Sequence, residues 1–114
     1  MFEQQDSQKY PPLSVDEVLH LLKERWGVTY DLKLLVREER LYLQMMWGYL
    51  EQQSFPMDED EFRSHLNKIL EIINRIGQSF LVREWLMRSS QRPRLGRAIS
   101  LELKADERLK EFVL

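Results

Sequence analysis

VTYDLKLLVREERLYLQMMW, residues 28–47, decides the fold, because its apolar residues recur at every second position on either side of a short charged break. Val28, Tyr30, Leu32, Leu34 and Val36 alternate with Thr29, Asp31, Lys33, Leu35 and Arg37, and after Glu38 and Glu39 the alternation resumes with Leu41, Leu43, Met45 and Trp47. A period of two belongs to a strand with one buried face. Pairing Val36 with Leu41 sets Leu34 opposite Leu43, Leu32 opposite Met45 and Tyr30 opposite Trp47, so both apolar sets share one face. A slip of one residue would send one set to the other face, which makes the register a firm expectation. Glu-Glu suits a primed two-residue turn poorly, so a looser loop is expected at the tip.

Upstream, Ser14 and Glu17 have capping-box spacing, Leu13 and Val18 stand at the positions of a hydrophobic staple, and Val15, Val18, Leu19, Leu22 and Trp26 form a helical stripe before Gly27. A helix over 15–26 is predicted. Downstream, residues 48–57 follow neither period and read as an irregular connection or a bulged strand extension. Asp58 with Glu61 gives a second capping box and Met57 with Phe62 a second staple, followed by the stripe Phe62, Leu66, Ile69, Leu70, Ile73 and Ile76. These predict a helix over 59–76. Ser79 is placed to cap a shorter helix over 80–89, residues 89–97 read as loop, and Ile99, Leu101 and Leu103 alternate as a third strand. The expected fold class is α+β: an N-terminal helix, an antiparallel hairpin with a third strand, two consecutive central helices and a short C-terminal helix. Residues 1–12 are expected to be a flexible tail, 13–104 a single domain, and 105–114 a terminal helix that docks or frays.

Composition narrows the chemistry. A chain of 114 residues fits one domain, and 43% hydrophobic with 32% charged residues suits a globular protein. The net charge of -2 shows no global excess shaped for nucleic acid or an anionic membrane. With no cysteine, disulfides, thiolate-held metals and thiol catalysis are excluded. No apolar run reaches the roughly 18–20 residues of a membrane helix, and the start lacks a signal peptide's regions, so a cytoplasmic protein without membrane insertion is expected.

Few residues suggest catalysis. The run Asp58-Glu59-Asp60-Glu61 invites a calcium reading, but a loop begun at Asp58 puts Phe62, Arg63 and Ile69 where ligands and a glycine belong, so it reads as a helix start. His20 and His65 lie off the apolar stripes and read as solvated surface residues. No nucleophile elbow, phosphate loop or dinucleotide fingerprint occurs; the reading is non-enzymatic, with no cofactor and no metal site.

Two segments suggest binding. Arg83, Arg88, Arg92, Arg94 and Arg97 fall close together against the single acid Glu84. Arginines on a proline-stiffened loop present forked donors to phosphate or carboxylate, unless they pair with the chain's own acids. A helix-turn-helix across Gly77 is disfavoured by Ile73 and Arg83 at positions that want small and apolar residues. Trp47 to Pro56 mixes aromatics with amides, a composition suited to a protein contact, and Leu35, Tyr42 and Met46 make the hairpin's other face more apolar than solvent requires.

RWGVTYDL at 25–32, RLYLQMMWGYLEQQSFP at 40–56 and RPRLGRAISL at 92–101 resemble a family of unknown function from cyanobacteria and plastids. The resemblance covers about residues 14–103. It implies a small α+β fold without close relatives and a home in oxygenic phototrophs, and it supplies no reaction, cofactor or partner. The function expected from the residues is an interaction or assembly protein, a monomer or weak homodimer, that docks a protein partner through Trp47, Tyr49, Gln52, Gln53 and Phe55, with Arg92, Arg94 and Arg97 engaging acidic groups. The alternative is an anion- or nucleic-acid-binding module built on the loop 88–97, nucleic acid being the less favoured ligand.

Overall fold

The computed structural model describes residues 11–104. Helix α1 (Val15–Trp26) leads into strands β1 (Tyr30–Arg37) and β2 (Arg40–Tyr49); helices α2 (Glu59–Arg75) and α3 (Ser79–Arg88) follow, and β3 (Ile99–Leu103) closes the order. The strands form one antiparallel sheet in the order β1-β2-β3. Leu32, Leu43, Met45 and Leu103 bring the sheet into a single core with Val18 and Leu22 of α1, Phe62, Leu66, Leu70 and Ile73 of α2, and Val82 and Leu86 of α3. The predicted terminal helix and most of the predicted tail lie outside the described residues; Pro11 and Pro12 are described, and their carbonyls accept from Arg83 Nη2 at 3.1 and 3.2 Å.

The helices start where their caps place them. Ser14 accepts the Glu17 N–H, and Gly27 ends α1 at φ 78°, a conformation that side chains with a Cβ resist. Leu13, the staple residue, is buried and held from both sides by Asn74: Oδ1 accepts its N–H at 2.8 Å and Nδ2 donates to its carbonyl at 3.0 Å. Asp58 and Glu61 close a complete capping box on α2. At α3 the expectation fails. Gln78, not Ser79, is the N-cap, and Ser79 is drawn into the first buried position of the helix.

The hairpin keeps its expected register at Val36–Leu41, Leu34–Leu43 and Leu32–Met45, but Tyr30 pairs with Tyr49 rather than Trp47. Two extra residues of β2 are accommodated in a bulge opposite Asp31, where Gly48 packs beside the Phe55 ring, whose nearest atoms lie 3.7 Å from the position a Cβ would take, an ordinary van der Waals contact. A bulge re-aims the side chains beyond it, which a strict alternation cannot anticipate. Val36 was expected on the buried face, yet it is 69% exposed because the tip of the hairpin lies beyond the core.

The tip also differs from expectation. Arg37 pairs directly with Arg40, and Glu38 and Glu39 take φ values of 53° and 66°, so the turn is a two-residue one despite its residues. Left-handed backbone costs an ordinary residue about 1 kcal/mol, and Asn-Gly is the pair that adopts this turn most readily. Glu38→Asn with Glu39→Gly is therefore expected to raise stability by about 1 kcal/mol. A denaturation midpoint that falls instead would contradict the turn.

Candidate functional site

The loop from Ser89 to Ala98 is fixed at several points. Arg25, at the end of α1, donates Nη1 to the Met87 carbonyl and Nη2 to the Ser89 carbonyl, placing a cation on the negative end of α3. Arg92 donates Nε and Nη2 to Tyr30 Oη at 3.1 and 2.6 Å, and its guanidinium lies 5.8 Å from both the Trp26 and the Tyr30 ring centroids. Pro93 is buried. Arg94 and Arg97 then bridge to each other through their backbones, N–H to carbonyl at 3.0 and 2.7 Å in the two directions, closing a turn in which Gly96 takes φ 75°.

These anchors hold an open groove of about 530 Å³, lined by Ser90, Gln91, Arg92, Arg94, Arg97 and Ser100 among others, with no acidic residue in its wall among the described residues. The five clustered arginines thus divide. Arg83 donates Nε to Glu17 at 2.5 Å and Nη2 to its other oxygen at 3.0 Å, and these bonds hold the Glu17 carboxyl below its ordinary range. The pair also explains why Glu17 does not complete the first capping box. Arg88 pairs with Glu84 one turn away at 2.6 Å. Arg92 is committed to Tyr30. Arg94 and Arg97 make no ion pair among the described residues.

The Trp47–Pro56 segment is more structural than its composition suggests. Tyr49 is half-buried and meets Tyr30 edge to face at 6.0 Å, and Phe55 is half-buried and meets Phe62 in the same way at 5.5 Å. Gln52 and Gln53 are exposed, and Trp47 is half-buried outside the core cluster. Tyr30 links the two segments, since it accepts from Arg92 and packs on Tyr49.

The residue whose role the sequence concealed here is Glu51. Its carboxylate accepts the Thr29 N–H, the Thr29 hydroxyl and the Lys23 ammonium, each at 2.8 Å, clasping α1, the start of β1 and the exit of β2. Burial pushes this carboxyl up, but the bonds from Lys23 and Thr29 together outweigh it and hold the group at about 2. A lone acid among aromatics and amides carries no local sign of partners so far away in sequence.

His65 is also not the solvated residue expected. Its Nε2 lies 2.8 Å from the Leu32 carbonyl, which only accepts, so this nitrogen carries the proton; Asp31 Oδ1 is 3.1 Å away. Burial at the bulge pushes the Asp31 carboxyl above its ordinary range, against the opposing pull of His65. The pair pins β1 to α2. Among the described residues no three His, Cys, Asp or Glu side chains converge in a way that could hold a metal ion, and no helix is long and apolar enough to cross a membrane.

A family model described as a domain of unknown function (DUF3067) matches residues 16–113. The chain is similar to the Alr2454 protein from Nostoc sp. strain PCC 7120, whose solution NMR structure it matches with 35% identity and a TM-score of 0.79 over 90% of this chain and 98% of that one. No curated protein matches.

Proposed function

The chain belongs to the DUF3067 family of domains of unknown function, and from that starting point we propose that it is a non-enzymatic interaction protein that engages the acidic groups of a protein partner. The observation carrying this reading is that Arg94 and Arg97 border one groove without a carboxylate among the described residues, while Arg83 and Arg88 on the adjoining helix are both ion-paired. Anchors at Arg25, Arg92 and Pro93 hold the loop in place before any partner arrives, so little ordering cost remains to be met on binding. The contact chain Arg92–Tyr30–Tyr49 connects the groove to the β2 exit, where Trp47, Gln52 and Gln53 supply adjacent contact area. Phe55 and Tyr49 act mainly as supports for that surface, because their rings are already packed on Phe62 and Tyr30. Similarity to a Nostoc protein supports an origin among oxygenic phototrophs.

The test is capture of a partner from Nostoc lysate on the immobilised chain, with Arg94→Ala/Arg97→Ala and Gln52→Ala/Gln53→Ala as parallel baits. A protein that survives nuclease treatment and is lost from the arginine variant is the expected result. Capture that disappears with nuclease would instead favour the nucleic-acid alternative. In that case affinity for a single-stranded oligonucleotide would fall with the logarithm of salt at a slope of about 1.4, as two phosphate contacts from Arg94 and Arg97 require.

A further inference from the structure

Arg94 and Arg97 are a directly opposed backbone pair, and such pairs hold their Cα atoms about 5.5 Å apart with both side chains on the same side. Like charges opposed in this way repel. Neither guanidinium has a carboxylate among the described residues to relieve that repulsion, and Arg92, which also borders the groove, has its Nε and Nη2 engaged with Tyr30. The rest of the wall is uncharged, with Ser90, Gln91 and Ser100 beside the apolar Ala98 and Ile99. Ser100 Oγ already accepts from Gln44 Nε2 at 3.2 Å, which leaves its own proton to donate.

The donors point to a particular kind of acid. A carboxylate offers two oxygens and one charge, enough for a single guanidinium fork. A phosphate monoester offers three terminal oxygens and close to two charges at pH 7, enough for two forks and for the whole charge of the arginine pair. The groove is far larger than a phosphate group alone, and Leu95, 88% exposed, stands at the turn between the two arginines. The ligand is therefore a phosphate carried on a larger body that also meets an apolar side chain. We propose that Arg94 and Arg97 together clamp the phosphate monoester of a phosphorylated serine or threonine on the partner protein. This rests on the acidic-partner reading above and narrows the acid to one chemistry.

The experiment titrates the full chain with three glycine-flanked peptides that differ only in a central phosphoserine, glutamate or serine, following the Gly96 and Arg97 amide signals by NMR. At pH 7.5 the phosphoserine peptide is expected to bind about tenfold tighter than the glutamate peptide, with the serine peptide not binding. That advantage shrinks as pH falls through about 6, where the phosphate loses its second charge. Arg94→Gln/Arg97→Gln is expected to abolish the preference with an unchanged thermal melt, and Arg94→Lys/Arg97→Lys, which keeps the charge without the fork, to weaken it several-fold.

Equal affinity for the phosphoserine and glutamate peptides, with no change through pH 6, would overturn the phosphate assignment while leaving the acidic-partner reading standing. Absence of binding by both acidic peptides would overturn the two together. Arginine-dependent binding to phosphatidylglycerol vesicles, whose phosphate is a diester, with the phosphoserine peptide ignored, would overturn the assignment to a protein in favour of a lipid surface.

Discussion

Replacing Phe62 with alanine is expected to lower the unfolding free energy by about 3–5 kcal/mol, a large part of the 5–15 kcal/mol that holds an ordinary domain. Phe62 is fully buried one turn into α2, where the rings of Phe55 and His65 lie against it and the staple residue Met57 packs on the same core. The loss therefore combines the transfer of a large ring with a cavity that the helix, tied down by its capping box, cannot collapse into. Phe55 leans edge to face on the same ring, and its other neighbour is the bulge glycine Gly48. Phe55→Ala alone costs less, because the residue is only half-buried, and a double-mutant cycle should return a coupling of about 0.5–1.5 kcal/mol. Urea titrations of the two single variants and the double variant measure both quantities. Additive losses would mean that the two rings do not support each other.

Glu51→Gln is expected to destabilise the fold by about 1–2 kcal/mol at pH 7, with a pH dependence that identifies the cause. The folded-state carboxyl sits at about 2 against an ordinary value of 4.5. A group depressed by folding contributes stability above its unfolded value and loses it as pH falls through its folded value. The contribution is thus complete above about pH 5 and fades towards pH 2. Taken whole, the shift corresponds to roughly 3 kcal/mol; with 32% of the side chain exposed, solvent screening reduces it to the smaller figure. Glutamine also turns an N–H₂ towards a site built of donors, so one contact is lost at any pH. Urea midpoints at pH 7, 4 and 2.5 should converge as the wild type becomes protonated. A gap that stays constant would show that packing, not charge, makes the clasp.

The parts of the fold legible in the sequence were those whose causes lie within one turn or one strand pair. Ser14, Asp58 and Glu61 sit three residues from the N–H groups they bond, so their meaning survives without tertiary knowledge. The hairpin register from Leu32 to Val36 follows from alternation alone. Legibility ends at Asp31, where the bulge puts Tyr49 in the place expected for Trp47.

The candidate site was legible only as composition. The arginine cluster was visible, but which members were already paired was not: Arg83 meets Glu17 and Arg92 meets Tyr30 across more than sixty residues of chain. The aromatic exit of β2 was visible as well, yet Tyr49 and Phe55 pack against residues from distant elements, and Glu51, the one charged residue in that stretch, does its work through Thr29 and Lys23.

By itself, then, the sequence determined the class of fold, the starts of α1 and α2, the third strand and most of the hairpin pairing, because periodicity and capping act over a few residues and a single register satisfies both apolar sets. Tertiary structure alone decided that Glu38 and Glu39 accept a left-handed turn, that His65 is tied to Asp31 and the Leu32 carbonyl, and that Arg94 and Arg97 meet no acid among the described residues where they border the groove. Each of these depends on which distant group arrives within bonding distance, and that proximity is created by burial of the shared core, not by any local pattern of residues.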